Sequence, residues 1–261
     1  MTHGAHDGHD HGVPADSAGT PWSGRDLRSN PFAGDDGSCE PALAAALEAY
    51  ASGGRTADLE RVVGALASAR VLVPIIAELD VAGRGEHGKD VDKEASAGVV
   101  ALEAPDGRKA LPVFSSVEAM ARWRADARPV PSYATRAALS AVQEGWALVV
   151  LDPGGPTTVL VPRPAVWALA QGRTWEPAVR DGVVDEAVRA AVRDAALPAQ
   201  HVVRADAVPG RTAEVAVALG IDGGLDRAGL DQVLAWVNRA LAASSVISER
   251  VDSLELRIGK A

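Results

Sequence analysis

A chain of 261 residues is long enough for one large domain or two smaller ones, each with its own core. A formal charge of −9 without any Lys/Arg run argues against a nucleic-acid partner, and the lone Cys39 excludes an intramolecular disulfide or a cysteine zinc cluster and suits a reducing compartment. Met1–Gly12 has no apolar leader segment and the longest apolar run, Val71–Ala77, is far too short to cross a bilayer, so a cytoplasmic protein with no membrane partner is expected.

Residues 1–20 are His, Gly, Asp, Ala and Ser with almost nothing to bury, which predicts a disordered tail. Its His3, His6, His9 and His11 can gather incidentally around a divalent metal, because imidazole suits zinc, nickel and copper. The irregular stretch Pro21–Pro41 carries Trp22, Leu27 and Phe32, apolar groups that fit a segment wrapped across a folded surface. Asp35, Asp36 and Gly37 lack the spaced oxygen ligands of a calcium loop and read as turn and cap chemistry ahead of Pro41.

Helices are predicted over Pro41–Ala51 and Ala57–Ala69, the second with Leu59, Val62, Val63 and Leu66 at helical spacing. Arg70–Glu78 is an apolar strand in which Pro74 removes a ladder donor, and this predicts an edge or a bulge. In the following loop, Gly83–Lys89 fits the G-x-x-x-x-G-K frame of a phosphate loop. The next residue is Asp90 instead of Ser or Thr, and no apolar helix follows, so a nucleotide site is not supported.

Val99–Trp123 reads as strand, Asp106-Gly107 hairpin turn, strand and helix, with Ser115 and Glu118 as a capping box and Val117, Met120 and Ala121 inward. Arg122–Pro131 joins Trp123 to Arg122, Arg124 and Arg128, a combination suited to stacking or anion contact; its prolines suggest a connector. A helix over Ser132–Glu144 with Leu139 and Val142 inward comes next. A second strand–turn–strand–helix unit then occupies Ala147–Gly172.

Gln171–Val183 breaks both periodicities and reads as a connector. Beyond it, helix Val184–Ala196, strands His201–Asp206 and Ala213–Leu219, helix Asp226–Ala243 and strand Ser253–Ile258 give an αββαβ order. His201 has no partner nearby in sequence, so a structural role is expected for it. The fold class is therefore α+β: a mixed, largely antiparallel sheet containing Arg70–Glu78 and the four hairpin strands with helices packed on it, then a smaller αββαβ sandwich. The expected divisions are a tail at 1–20, a domain at 21–172, a connector at 173–183 and a second domain at 184–261.

The segments PWSGRDLRSNPFAGDDG, RVLVPIIAE, DGRKALPVFSSVEAMARW, DARPVP and DPGGPTTVLVPRPAVWALAQG resemble the actinobacterial branch of the SseB family over most of Pro21–Gly172. The resemblance implies an SseB N-terminal domain and a second domain behind it, and it brings no catalytic residue and no cofactor. No complete nucleophile, metal or nucleotide constellation is visible in the sequence. The leading expectation is a non-enzymatic interaction or regulatory module with an unknown protein partner, bound through Trp22, Arg25, Phe32, Asp35, Asp36, Trp123, Arg124 and Arg128. The alternative is an enzyme or small-molecule binder at a cleft lined by Arg25, Asp35, Asp36 and Arg128.

Overall fold

A computed structural model describes residues 30–78 and 96–260. Met1–Asp36 and Gly37–Ala261 are separate compact units. Of the first, Asn30–Asp36 is a short turn in which Ala33 N–H donates to the Asn30 carbonyl and Asp35 N–H to that of Phe32.

The second unit opens with α1 (Pro41–Gly53) and α2 (Thr56–Leu66), followed by β1 (Arg70–Glu78). Pro41 suits the first turn of α1, and Gly54 ends it in the left-handed conformation (φ +61°). β2 (Ser96–Val99), β3 (Leu102–Glu103) and β4 (Lys109–Val113) lead to α3 (Val117–Trp123), β5 (Arg128–Tyr133), α4 (Ala134–Gln143), β6 (Leu148–Leu151), β7 (Val159–Val161) and α5 (Arg163–Ala170).

These strands form two sheets instead of the single one expected: β2-β1-β5 and β3-β4-β6-β7. A bridge between Leu72 and Phe114 joins them through a reciprocal pair of hydrogen bonds of 2.8 and 2.9 Å. The leading hairpin strand expected to start at Val99 is cut short: Val99 instead ends β2, which takes in Ser96–Gly98 from the expected loop and pairs with β1, and only Leu102–Glu103 pairs with β4. β4 and β6 are parallel neighbours, linked by the α3–β5–α4 excursion. Both are apolar along nearly their whole length, the pattern of strands covered on both faces.

Pro74 lies in the interior strand of its sheet, not at an edge. Leu72 directs its N–H and carbonyl to Phe114, and Pro74, two residues on, faces the same way, while β2 pairs only from Ile75 onward. Its missing donor therefore falls in the gap between two partners. Opposite it, Pro129 and Pro131 align with Pro74 and Leu72, so their nitrogens turn outward at the edge of β5 that pairs with no other strand among the described residues. The stretch expected as a connector is thus a strand whose prolines cost no ladder bond.

The first hairpin closes with Gly107 N–H on the Ala104 carbonyl and Ala104 N–H on that of Arg108, and Gly107 alone of the central pair takes positive φ (+81°). This is a three-residue turn with a glycine bulge, in place of the two-residue turn expected. In α3 the cap is Ser116, which accepts from Ala119 N–H, not Ser115. The one-residue shift leaves Val117 and Ala121 exposed, while Met120 stays buried. Likewise α4 buries Ala134, Ala137, Ala138 and Ala141 and leaves Leu139 outside, because close helix packing selected the small residues of the stripe.

The rest of the unit comprises β8 (Val179–Arg180), β9 (Val183–Val184), α6 (Glu186–Ala196), β10 (Val202–Pro209), β11 (Val215–Ile221), α7 (Arg227–Ala243), α8 (Ser245–Arg250) and β12 (Leu254–Lys260). The small β8/β9 hairpin and α8 were not expected from the sequence. The sheet order is β10-β11-β12, with β11 and β12 parallel. Asp185 and Asp226 cap α6 and α7, and Val233, Val237 and Leu241 form the buried stripe of α7. His201 precedes β10 with φ +70°, its carbonyl accepting from Asp222 N–H. The chain is α+β, and the two larger buried apolar clusters among the described residues share no residue: one between α1, α2, α4, α5 and the first two sheets, the other under α6, α7 and the last sheet. Arg108 Nη1 on the Asp252 carboxylate (2.8 Å) and Arg163 Nη2 on the Val251 carbonyl (2.6 Å) tie the regions together.

Candidate functional site

The sequence singled out the edge around Trp123 and β5. α3 starts where the Val117 N–H meets the Gly37 carbonyl at 2.9 Å. Gly37 has φ +78°, and a Cβ there would lie 2.6 Å from Val117 Cγ2, so this approach requires glycine. At the far end of α3, Trp123 lies half-buried with its ring 5.2 Å from Phe114, in a small cluster with Leu72 and Met120. It is an anchor of the fold more than a free aromatic surface.

The arginines beside it divide. Arg122 pairs with Glu118, and Arg124 holds Asp126 through Nε at 3.0 Å and Nη2 at 2.7 Å, which keeps the Asp126 carboxyl below the ordinary range. Arg128 is exposed on β5 beside Val130 (41% exposed), and Tyr133 (44%) follows on the other face of the strand. Phe32, Asp35 and Asp36 belong to the segment before Gly37. Trp22 and Arg25 lie outside the described residues, as do His3, His6, His9, His11 and the Gly83–Lys89 frame. Among the described residues, no group of three His, Cys, Asp or Glu side chains is placed to hold a metal.

A second polar constellation sits at the carboxyl ends of the parallel pair, and sequence reasoning missed it. Ser115 follows β4 and Asp152 follows β6. Asp152 Oδ1 accepts from Ser115 N–H at 2.8 Å, and its Oδ2 accepts from Ser115 Oγ at 2.7 Å. Beside them, Arg70 donates from Nη1 to the Ser115 carbonyl (2.9 Å) and from Nη2 to the Ser38 carbonyl, and its own N–H meets Glu40 Oε1 at 2.7 Å. All three of Arg70, Ser115 and Asp152 are more than nine-tenths buried.

Burial raises the Asp152 carboxyl against the opposing effect of the two Ser115 bonds. It likewise pushes the Cys39 thiol up, more than its contact with Ser115 draws it down. A raised thiol is a poor nucleophile, and the Ser115 hydroxyl already donates to a carboxylate, with no histidine among the described residues bonded to it. Asp152 also holds φ +51°, a conformation that costs a non-glycine residue energy. The hydrogen bonds of Ser115 and Thr158, whose Oγ1 donates to the Asp152 carbonyl at 2.9 Å, oppose that strain. The arrangement locks two strand ends together. Its only sequence signal was the serine doublet Ser115-Ser116, of which one member caps and the other is drawn inward.

A third polar cluster gathers around a cavity of about 120 Å³. Its walls come from α5 (Pro164, Trp167), the following segment (Arg173, Trp175, Glu176) and α8 (Arg250). Trp175, isolated in a Pro/Gly-punctuated stretch, was the signal available in the sequence.

These features define a chain of the α+β class with mixed sheets and a buried serine–aspartate lock at the ends of its parallel strands. Residues 43–168 match the model of the SseB protein N-terminal domain. The match runs from α1 into α5 and so contains both sheets of the first region, Trp123, β5 and the Arg70–Ser115–Asp152 lock. No curated protein and no solved structure matches the chain. No helix among the described residues is long and apolar enough to cross a membrane.

Proposed function

We propose that this SseB-domain chain works in the cytoplasm as a non-enzymatic interaction module, engaging a protein partner through the open edge formed by β5. The observation that carries the reading is the composition of that edge. Val130 and Tyr133 are large apolar groups exposed on opposite faces of one strand, with Arg128 beside them. Aromatic and arginine side chains with an apolar centre are the groups that dominate binding energy at protein interfaces. The edge is also closed to strand addition, because Pro129 and Pro131 turn carbonyls outward and supply no N–H. Recognition there runs through side chains, which supports selective binding over sheet-to-sheet association. The single free thiol of Cys39 accords with a reducing compartment.

Trp123 is a poor probe of this reading, since its contact with Phe114 makes Trp123→Ala cost about 2–3 kcal/mol of stability. Arg128→Glu combined with Val130→Asp changes only exposed side chains. The doubly substituted chain, immobilised beside the natural one in a lysate and compared by quantitative mass spectrometry, is expected to lose about tenfold or more of one specific partner at unchanged melting temperature. Identical capture profiles for the two chains sink the proposal.

A further inference from the structure

Among the described residues, three buried side-chain nitrogens have no hydrogen-bond partner: Trp175 Nε1, Arg250 Nε and Arg250 Nη2. Both residues line the same cavity of about 120 Å³ between α5, the Gln171–Glu176 segment and α8. Trp175 is more than nine-tenths buried, so its indole N–H has exchanged water for nothing the protein supplies. Unpartnered buried donors are rare because each carries its desolvation cost. Three on one small cavity mark a place where an acceptor belongs.

The chemistry of that acceptor can be read from the other arginines of the molecule. Arg124, Arg180 and Arg189 each present the Nε/Nη2 edge of the guanidinium to one carboxylate, two bonds side by side: Asp126 at 3.0 and 2.7 Å, Glu60 through both nitrogens, Asp206 at 3.1 and 2.7 Å. Arg250 has the same edge without those bonds. Its remaining nitrogen, Nη1, is fixed on Asp185 Oδ1 at 2.9 Å, which holds the guanidinium in place. Glu176 approaches Nη2 at 3.5 Å, outside hydrogen-bond geometry, with its side chain 70% exposed. Glu249 also lines the cavity and Arg173 adds a second positive charge.

We propose that this cavity is a binding site for the oxyanion head of a small acidic ligand, a carboxylate or a phosphate, seated across the Nε/Nη2 edge of Arg250 and receiving a third bond from the Trp175 indole. A planar fork matches two oxygens of either group, and the added N–H fixes the direction of approach. With few ligand atoms to bind, affinity for the simplest probes falls in the millimolar range.

The full chain, labelled with 15N, gives one indole N–H resonance per tryptophan, and Trp175→Phe assigns that of Trp175 by its disappearance. Titration with sodium acetate and, separately, with inorganic phosphate, against sodium chloride at matched ionic strength, is expected to move the Trp175 resonance saturably. Response to acetate alone assigns a carboxylate, response to phosphate alone a phosphate, and response to both an undiscriminating oxyanion site. Arg250→Lys keeps the charge beside Asp185 and loses the fork, so it should weaken the response about tenfold or more, with the indole resonances of Trp123, Trp146 and Trp236, which do not line the cavity, unmoved. No saturable shift with either anion, or an undiminished response in Arg250→Lys, overturns the proposal.

Discussion

Arg70 and Arg250 are two arginines drawn into the fold, and they end differently. Arg70 donates to the carbonyls of Ser115 and Ser38, its own N–H is taken by Glu40, and a serine–aspartate pair closes the space beside it. Arg250 has one nitrogen on Asp185 and two with no hydrogen-bond acceptor, next to an indole in the same condition. Main-chain carbonyls cannot move away, so an arginine satisfied by them behaves as a bolt between segments. An arginine with an open fork at a cavity is a receptor. The lesson is that burial and charge do not separate structural from functional polar groups; the identity of their acceptors does.

The comparison predicts unequal costs. Arg70→Met preserves length but strands two buried carbonyls, and it should destabilise the chain by about 4 kcal/mol, whereas Arg250→Lys should cost about 1 kcal/mol or less. Urea denaturation of the two variants measures both. Equal losses would mean that Arg250 is a bolt as well.

Asp152 sharpens the same point through pH. Burial raises its folded-state carboxyl above the unfolded value, so the folded chain keeps a proton that the unfolded chain has released. The stability this contributes is whole below the ordinary aspartate range, about pH 4, and is lost as pH rises through the folded pKa. Asp152→Asn removes that titration. The melting temperature of the variant relative to the natural chain should therefore climb as pH rises from about 4. A difference independent of pH would show that the Ser115 bonds, not burial, set the charge state.

The two apolar clusters invite a cut between them. We propose that 21–172 and 184–261 act as domains joined through 173–183, since the ties across the join include polar contacts such as Arg108 with Asp252. Partly exposed pairs of this kind contribute about 1 kcal/mol or less each. Limited proteolysis near residue 180 should release two fragments that stay folded after separation; fragments that unfold would reveal one continuous core. The smallest expected effect is at the β5 edge. Pro131→Val restores an outward N–H where no strand among the described residues pairs, so stability should change by about 0.5 kcal/mol or less while self-association, followed by sedimentation, increases.

How far the sequence could be read depended on the range of the interaction. The strand Arg70–Glu78 was legible to the residue, and Asp226 announced the start of its helix, because hydrophobic runs and caps act within a few residues. The serine doublet was ambiguous locally: either Ser115 or Ser116 is a competent cap, and Asp152, thirty-seven positions away, decides by claiming Ser115. β5 was hidden because its prolines oppose a strand by every local rule, and only the register against Leu72 and Pro74 turns their nitrogens outward. Leu139 was assigned inward by size, whereas the contact of α4 selected alanines. Of the candidate surface, Arg128 was legible as an exposed cation, while Trp123 was absorbed by Phe114. The open fork was beyond reach, since Trp175 and Arg250 meet only after the intervening chain has folded back.

The parallel pairing of β11 with β12 has a consequence for the time course of folding. Val215 meets Leu254 only across the whole α7–α8 excursion, whereas β10 and β11 join through a short turn. The entropy of closing the longer loop must be met before any of its seven paired residues contributes, so the nearer antiparallel pair should assemble first. Until β12 arrives, the β12-facing side of β11 has open hydrogen-bonding positions. Asp252, which receives the Arg108 guanidinium, lies immediately before that strand. Refolding should therefore show a late step in which the last sheet and the grip of the first region on the second are completed together.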